Sequence, residues 1–290
     1  MPFFRDLRFL DLPLFRRYRA FKMAATRTVS QNAPPLTLQN TALLPTRRSD
    51  FPFAKPQTVN TETSTPEFAP SFMPRSYFDA LFAAHGPQHW WPGRTRFEII
   101  VGAILTQNTS WTNVERAIRN LHGARMLSPQ AIRRVRFTRL AQLLRPAGYF
   151  RQKSKTLKSF VNFLFDSYAG SLSRLFSTPT AVLREQLLAL RGIGPETADS
   201  ILLYAGKHPI FVVDAYTRRI LQRHGHVHSK FAYDEIRKLF ESALPADHQL
   251  FNEFHALIVN VGKHYCRPES PRCSECSLAR FLPQSILPVT

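Results

Sequence analysis

One segment of the chain combines residue types that suit binding of a bulky anion. It runs from Leu190 to Asp199 and reads Leu-Arg-Gly-Ile-Gly-Pro-Glu-Thr-Ala-Asp. The pattern predicts that one helix ends, that Gly192-Ile193-Gly194 makes a turn, and that Pro195 opens the next helix at its first position. Two glycines let the backbone approach an anion closely, and N–H groups at the new helix start point outward. Taken alone, the Gly-x-Gly pattern is also typical of a tight turn between helices.

Three cysteines form a second candidate site. Cys266, Cys273 and Cys276 are the only cysteines of the chain and lie in one short C-terminal stretch. An odd, clustered set does not suit the disulfide framework of a small secreted protein. It predicts instead a loop for a metal ion or cluster in a reducing compartment. Because no signal peptide is evident, we expect a cytoplasmic, nucleoid-associated protein.

The charge of the chain points to the kind of partner. Its 290 residues include 39 Lys and Arg against 20 Asp and Glu, a formal charge of +19. Such an excess favours a polyanionic partner, and nucleic acid is the first candidate. Hydrophobic residues make up 44% of the chain, which excludes global disorder. Apolar stretches such as Ile99 to Leu105 are too short to span a bilayer, which excludes an integral membrane protein.

Residues 1–72 differ in composition from the rest. They hold nine of the 22 prolines and none of the 11 glycines, and no apolar periodicity lasts. We expect a disordered basic extension, followed by one domain over residues 73–290. Two alternatives remain open. The true start could lie at Met23 or Met73, or residues 1–22 could be an organellar targeting segment, although Asp6, Asp11 and Pro13 count against targeting.

From Tyr77 onward the apolar periodicity is helical, and alternating strand patterns are scarce, so the fold class predicted is all-α. Phe97 to Leu105 is apolar nearly all round and predicts a buried helix. Four further signals are a capping box from Thr112 to Glu115, a helix from Thr178-Pro179 through Leu190, a helix capped by Asp234, and a last long helix over Phe251 to Gly262.

Several motifs in order make the sequence resemble the helix-hairpin-helix DNA glycosylases related to endonuclease III. They are Thr106-Gln107-Asn108-Thr109, Arg145-Pro146-Ala147-Gly148-Tyr149, the hairpin 190–200, the segment Phe211-Val212-Val213-Asp214 and the cysteine loop 266–282. The resemblance covers roughly Tyr77 to Leu282. It implies a two-lobed helical fold with a DNA-binding cleft between the lobes. It also implies that Gln107 fills the gap left by a flipped base, and that the hairpin residues Gly192, Ile193 and Gly194 bind DNA phosphates.

The resemblance further implies that Asp214 is the catalytic carboxylate. A residue of this type before Ala215 also suits a helix cap, and both roles can hold. A capping carboxylate is held ionised by backbone N–H groups and the helix dipole, which is what an oxocarbenium-like sugar needs nearby. Bifunctional relatives carry a nucleophilic lysine where this chain has Glu196. A glutamate cannot form an imine, and Lys207 and Lys263 are less well placed. We therefore expect base excision by water.

The three tryptophans predict a pocket for a damaged base. Trp90-Trp91-Pro92 precedes the buried helix, and Trp111 follows the Gln107 segment. Flat indoles can stack on a flipped base, and they favour a cationic base through a cation–π attraction. This pattern is most similar to the 3-methyladenine glycosylase branch of the family. Core packing remains the alternative for each of the three tryptophans.

In the cysteine loop, the spacing matches the first three ligands of the family's [4Fe–4S] site, but Leu282 occupies the fourth position. The sequence leaves open a cluster held by three thiolates, a vestigial loop, or zinc with His264.

The sequence thus predicts a monofunctional DNA glycosylase that removes alkylated purines from double-stranded DNA in base-excision repair and acts as a monomer. Two alternatives are a bifunctional glycosylase/lyase for oxidised pyrimidines and a non-catalytic helix-hairpin-helix DNA-binding protein. Glu196 disfavours the first, and the position of Asp214 disfavours the second.

Overall fold

The computed structural model describes residues 72–88, 90 and 93–283. None of these residues forms a β-strand, so the prediction of an all-α fold is confirmed. The helices in these ranges are α1 (Pro74–His85), α2 (Arg96–Leu105), α3 (Trp111–Gly123), α4 (Pro129–Arg134), α5 (Phe137–Leu143), α6 (Phe150–Tyr168), α7 (Leu172–Phe176), α8 (Thr180–Leu188), α9 (Pro195–Ser200), α10 (Ala215–Arg223), α11 (Tyr233–Glu241) and α12 (His248–His264). A π-helical turn, Ile201–Gly206, extends α9.

Two helix starts differ from the sequence expectation. α3 begins at Trp111, so Thr112 lies inside its first turn, and Glu115 accepts a hydrogen bond from the Trp111 indole instead of closing a capping box. Asp234 is the second residue of α11 rather than its cap, because its carboxylate is used by Arg184 and Arg237. The Thr112 prediction failed because the helix begins earlier, after Ser110, whereas the Asp234 prediction failed because two guanidinium groups take its carboxylate.

The helices form two lobes. In one lobe, α2 packs against α3, α6, α9 and the π-helical turn. In the other, α12 packs against both α1 and α10, so the first and last of these α-helices meet. Contacts between α12 and the π-helical turn join the lobes. No helix in the described ranges is both long and apolar enough to cross a membrane.

The predicted extension over residues 1–72 lies outside the described residues, except for Phe72. The Phe72 ring lies 5.1 Å from the rings of both Tyr77 and Phe240. Phe72 therefore packs with the domain predicted for residues 73–290, and the boundary of that domain moves back by at least one residue.

Aromatic packing anchors the segment that leads to Asp214. Phe211 is fully buried, and its ring stacks on Phe240 with centroids 3.9 Å apart. It also meets Phe251 and Phe254 of α12 edge-on, each at 5.7 Å. Burying one such side chain contributes about 1.5–3 kcal/mol, so this cluster holds the chain immediately before Asp214 in place.

Candidate active site

Asp214 caps the N-terminus of α10. Its Oδ1 accepts hydrogen bonds from the Thr217 backbone N–H at 2.7 Å and from Thr217 Oγ1 at 2.9 Å. Burial alone would raise the pKa of this carboxyl, but the imidazole of His255 and the two Thr217 hydrogen bonds outweigh burial. The pKa of Asp214 therefore lies below its usual range, and the carboxylate is ionised at neutral pH.

His255, on α12, stands behind Asp214 and was not found from the sequence. Its Nε2 lies 3.5 Å from Asp214 Oδ2, at ion-pair distance, and its Nδ1 lies 2.6 Å from the Tyr204 hydroxyl. Both His255 and Tyr204 are buried. Sequence spacing could not have found this pair because the two residues are 51 positions apart and the lobe contact alone unites them.

Glu196, the second residue of α9, faces the same group. The residue is exposed overall, yet the protein around its carboxyl raises the pKa to about 7 by loss of hydration, with a further rise from the Asp214 carboxylate. The His255 imidazole opposes that rise. Two carboxyl groups thus sit in one site with pKa values pushed in opposite directions.

The predicted hairpin is present, and its two glycines differ. Gly192 has a φ of 89°, and a Cβ there would clash with Thr156 Oγ1 of α6, so this position requires glycine. Gly194 has a φ of −93° and open space where a Cβ would project. The Ile193 side chain is buried, so only its backbone could contact a phosphate.

Arg184 ties the hairpin to α11. It binds Asp199 of α9 and Asp234 of α11, with N–O distances of 2.7 Å in both pairs. The Asp199 side chain is fully buried, and this burial raises its pKa despite the neighbouring Arg184 guanidinium. The hairpin is therefore fastened at its second helix as well as at its turn.

Gln107 lies against the hairpin. Its Nε2 donates hydrogen bonds to the Gly192 carbonyl at 3.0 Å and to Thr197 Oγ1 at 2.8 Å. The residue is half-buried, on the turn that follows α2. The structure thus brings together the predicted gap-filling residue and the predicted phosphate-binding turn.

Tyr149 is an exposed loop residue at the start of α6. It is 72% exposed, the highest value among the exposed large hydrophobic side chains of the described residues, and has a φ of 42°. The buried Lys153 ammonium donates to the carbonyls of Leu105 and Ala147, which ties the Tyr149 loop to the end of α2, immediately before Gln107. An exposed aromatic ring at such a place could stack on DNA bases. The sequence signal was the Gly148-Tyr149 pair.

Of the predicted base pocket, Trp90 and Trp111 are described, whereas Trp91 and Pro92 lie outside the described residues. Trp90 contacts the Tyr204 hydroxyl, and this contact opposes the burial that raises the pKa of Tyr204. The Lys263 ammonium lies 5.6 Å from the Trp90 ring centroid. Trp111 is half-buried, and its indole donates to Glu115 at 2.8 Å. Trp90 is therefore connected to the Asp214 group, and the pocket role of Trp111 stays a prediction.

The three cysteines line one cavity with Leu282 and His224. Burial raises the pKa of the Cys276 thiol, and Arg223 donates to Cys266 Sγ at 2.9 Å. Among the described residues, no group of three or more His, Cys, Asp or Glu side chains is arranged to hold a metal ion. With an apolar Leu282 in the fourth place, these residues do not fit a four-thiolate cluster.

The zinc alternative rested on His264, which is exposed and directs Nδ1 to Asn260. A [4Fe–4S] cluster on three cysteines stays a prediction, which iron and sulfide analysis of anaerobically purified protein would test.

Comparison with known proteins places this site in a family. The family model for the HhH-GPD superfamily base excision DNA repair protein matches residues 101–246. The chain is 46% identical over 206 residues to a protein of Methanocaldococcus jannaschii named "Putative DNA repair glycosylase", a match that covers 70% of this chain and 93% of the relative. It is 29% identical over 182 residues to endonuclease III of Thermotoga maritima, covering 63% and 80% of the two chains.

Solved structures agree with this placement. The H. pylori 3-methyladenine DNA glycosylase bound to 1,N6-ethenoadenine is 28% identical, with a TM-score of 0.57 and coverage of 66% of this chain and 98% of that one. A non-covalent endonuclease III–DNA complex shares the fold at 22% identity, with a TM-score of 0.62 and coverage of 72% and 92%. The chain belongs to the HhH-GPD superfamily and is a DNA glycosylase of the endonuclease III family that acts in base-excision repair.

Proposed function

We propose that this enzyme is a monofunctional DNA glycosylase that removes alkylated purines with water and leaves an intact abasic site. The observation that carries the proposal is Glu196, which stands at the position of the family lysine and faces Asp214 and His255. A carboxyl group cannot form the imine that strand cleavage by a lyase requires. The buried Lys153 is already bonded to two backbone carbonyls, so it is no substitute.

The two carboxyl groups have separate roles in this proposal. Asp214 is ionised, so it stabilises the positive charge that develops on the sugar as the base departs. Glu196, with a pKa of about 7, is neutral in part of the molecules at physiological pH and so spares the site a second full negative charge. In its ionised form it can accept a proton from the attacking water. Divergent pKa values of this kind are typical of paired acid–base groups.

Two points favour an alkylated purine as the leaving base: such a base departs easily, and the tryptophans of the site can stack on it. N-alkylation gives a purine a positive charge and makes it a good leaving group, so it needs little acid assistance. Trp90 with Trp91, Pro92 and Trp111 would supply flat walls, and each stacking partner contributes about 1–3 kcal/mol per base. The 28% identity to a 3-methyladenine glycosylase supports the same substrate class.

The hairpin and Gln107 would hold the duplex around the flipped nucleotide. Gly194 leaves open space where a phosphate can approach, and the N–H groups at the start of α9 point outward. Gln107 donates two hydrogen bonds to this hairpin. When DNA binds, these bonds would break, and the freed amide would enter the gap that the flipped base leaves in the duplex. The monomeric state and the cellular location stay predictions.

The test is a comparison of lesions. Purified enzyme is incubated with methylated duplex and with a matched duplex that carries thymine glycol, with Asp214→Asn as the inactive control. We expect release of free 3-methyladenine and abasic strands that break only after alkali. Preferential action on thymine glycol, with strand breaks formed directly, would refute both the substrate class and the monofunctional mechanism.

A further inference from the structure

A buried nitrogen without a hydrogen bond of normal length lies next to the catalytic carboxylate. The Nε2 of His255 is inaccessible to solvent and makes no hydrogen bond of normal length among the described residues. Its nearest charged neighbour is Asp214 Oδ2 at 3.5 Å, slightly beyond the distance of a formed hydrogen bond. An orphan buried donor or acceptor costs about 1–3 kcal/mol, so its position here calls for a compensating role.

The surroundings decide which ring nitrogen carries the proton. Tyr204 lies 2.6 Å from Nδ1, and a phenolic hydroxyl can donate to that nitrogen. If Nε2 were unprotonated, its lone pair would face an ionised carboxylate, which is repulsive. The favoured states therefore carry hydrogen on Nε2, aimed at Asp214.

We infer that His255 is a positioning residue that orients and keeps ionised the catalytic Asp214, with Tyr204 fixing the proton of His255 on the nitrogen that faces Asp214. Thr217 holds Oδ1 through two hydrogen bonds, and the Nε2 of His255 faces Oδ2 at 3.5 Å. With one oxygen bonded and the other faced from the protein side, the remaining face of the carboxylate is left for the sugar or its attacking water. The inference rests on the proposed role of Asp214.

The same chain of contacts reaches the proposed base pocket. Trp90 contacts Tyr204, Tyr204 bonds His255, and His255 faces Asp214. A base that stacks on Trp90 is therefore placed relative to the carboxylate through two buried side chains. This links recognition of the base to orientation of Asp214.

Several titratable groups face His255 and Asp214, and a pH experiment must distinguish their effects. Glu196 faces it from α9, Tyr204 from the π-helical turn, and Asp214 itself from the start of α10. Because loss of hydration raises the pKa of Glu196 to about 7, this carboxyl can contribute its own limb to the pH profile. A Glu196→Gln background removes that contribution.

A pair of substitutions separates the two nitrogens. The amide of His255→Gln can reach the place of Nε2 and donate to Asp214, whereas the shorter His255→Asn reaches only the place of Nδ1. We expect His255→Asn to lower kcat for base excision about 10- to 100-fold with little change in KM, and His255→Gln to retain most of kcat. His208→Gln is the matched control, because His208 is also buried but bonds Thr180 rather than Tyr204.

The pH profile tests ionisation in particular. In the Glu196→Gln background, His255→Asn should move the acid limb of kcat to higher pH, because burial of Asp214 would be less opposed. Equal losses in His255→Gln and His255→Asn, with an unmoved acid limb and unchanged melting temperatures, would overturn the inference.

A readout independent of activity distinguishes this inference from the proposed function. In ¹⁵N-histidine NMR spectra of the full chain, His255 should show hydrogen on Nε2 and should respond to both Asp214→Asn and Tyr204→Phe. A spectrum typical of hydrogen on Nδ1 alone, unaffected by Asp214→Asn, would overturn it. If the NMR spectra are as expected but the enzyme does not release alkylated purines, only the proposed substrate is refuted.

Discussion

At the scale of single residues, the site separates two carboxyl groups by their surroundings. Asp214 receives two hydrogen bonds from Thr217 and faces His255, so its pKa falls. Glu196 has no such donors in the described site and loses hydration, so its pKa rises to about 7. In the proposed mechanism, this difference gives the two carboxyl groups their separate roles.

Replacement of Asp214 by Asn tests the first carboxyl. Asparagine is as good a helix cap as aspartate, so α10 should form and the free energy of unfolding should change by less than about 1 kcal/mol. Excision should fall by about 100-fold or more, since the ionised charge is lost, while duplex affinity stays within a few-fold. Single-turnover excision and a binding titration measure both. Near-normal excision by this variant would remove Asp214 from the mechanism.

The sequence alone identified some of these residues as candidates for the site and missed others. Asp214 and Glu196 became candidates through the family resemblance, because the motifs that carry it are local in sequence: the segment before α10 and the hairpin. His255 and Tyr204 could not be predicted, because their roles depend on packing between distant helices. Likewise Asp234 was assigned as a cap because Arg184 is 50 positions away.

At the scale of elements, the hairpin is held from three sides. Thr156 of α6 packs under Gly192, Gln107 bonds its carbonyl, and Arg184 fastens Asp199. From the sequence, Gly192 and Gly194 were both predicted to let the backbone approach an anion closely. Only Gly192 is required by the fold, because it has positive φ and no room for a Cβ, whereas Gly194 opens toward solvent.

The two glycines therefore give a matched pair. Gly192→Ala should lower the free energy of unfolding by about 1–3 kcal/mol because of its positive φ and the clash with Thr156. Gly194→Ala should change it by less than about 0.5 kcal/mol but weaken binding to all duplexes alike, since its methyl group enters the space for a phosphate. Chemical denaturation and binding to several duplex sequences measure these effects. Equal destabilisation, or weaker binding confined to one sequence, would contradict the account.

At the scale of the whole molecule, most of the positive charge belongs to residues 73–290. Residues 73–290 hold 29 of the 39 Lys and Arg and 15 of the 20 Asp and Glu, so they carry +14 of the +19. Some of these cations are used internally, as Arg184 and Arg219 show. The excess nevertheless favours binding to DNA phosphates over a long stretch of duplex.

Removal of residues 1–71, which keeps Phe72, should therefore preserve excision and most of the salt dependence of DNA binding. The logarithm of the affinity should fall linearly with the logarithm of salt concentration, with a slope of about −0.9 for each phosphate contact. Titrations of both proteins over a range of salt measure the slopes. An insoluble or unfolded truncated protein, or a slope near zero, would show that the N-terminal residues carry the fold or the DNA contact.

The central claim, excision by water without a lysine nucleophile, is tested most directly by reduction with borohydride. The wild-type enzyme is incubated with a substrate duplex and borohydride, beside Glu196→Lys and an endonuclease III, a protein known in a trapped covalent DNA intermediate. For the wild type we expect free base but no covalent complex. For the endonuclease III we expect a trapped covalent complex. Glu196→Lys should also form a trapped complex if its amine reaches the sugar. A covalent wild-type enzyme–DNA complex, formed in proportion to base release, would contradict it.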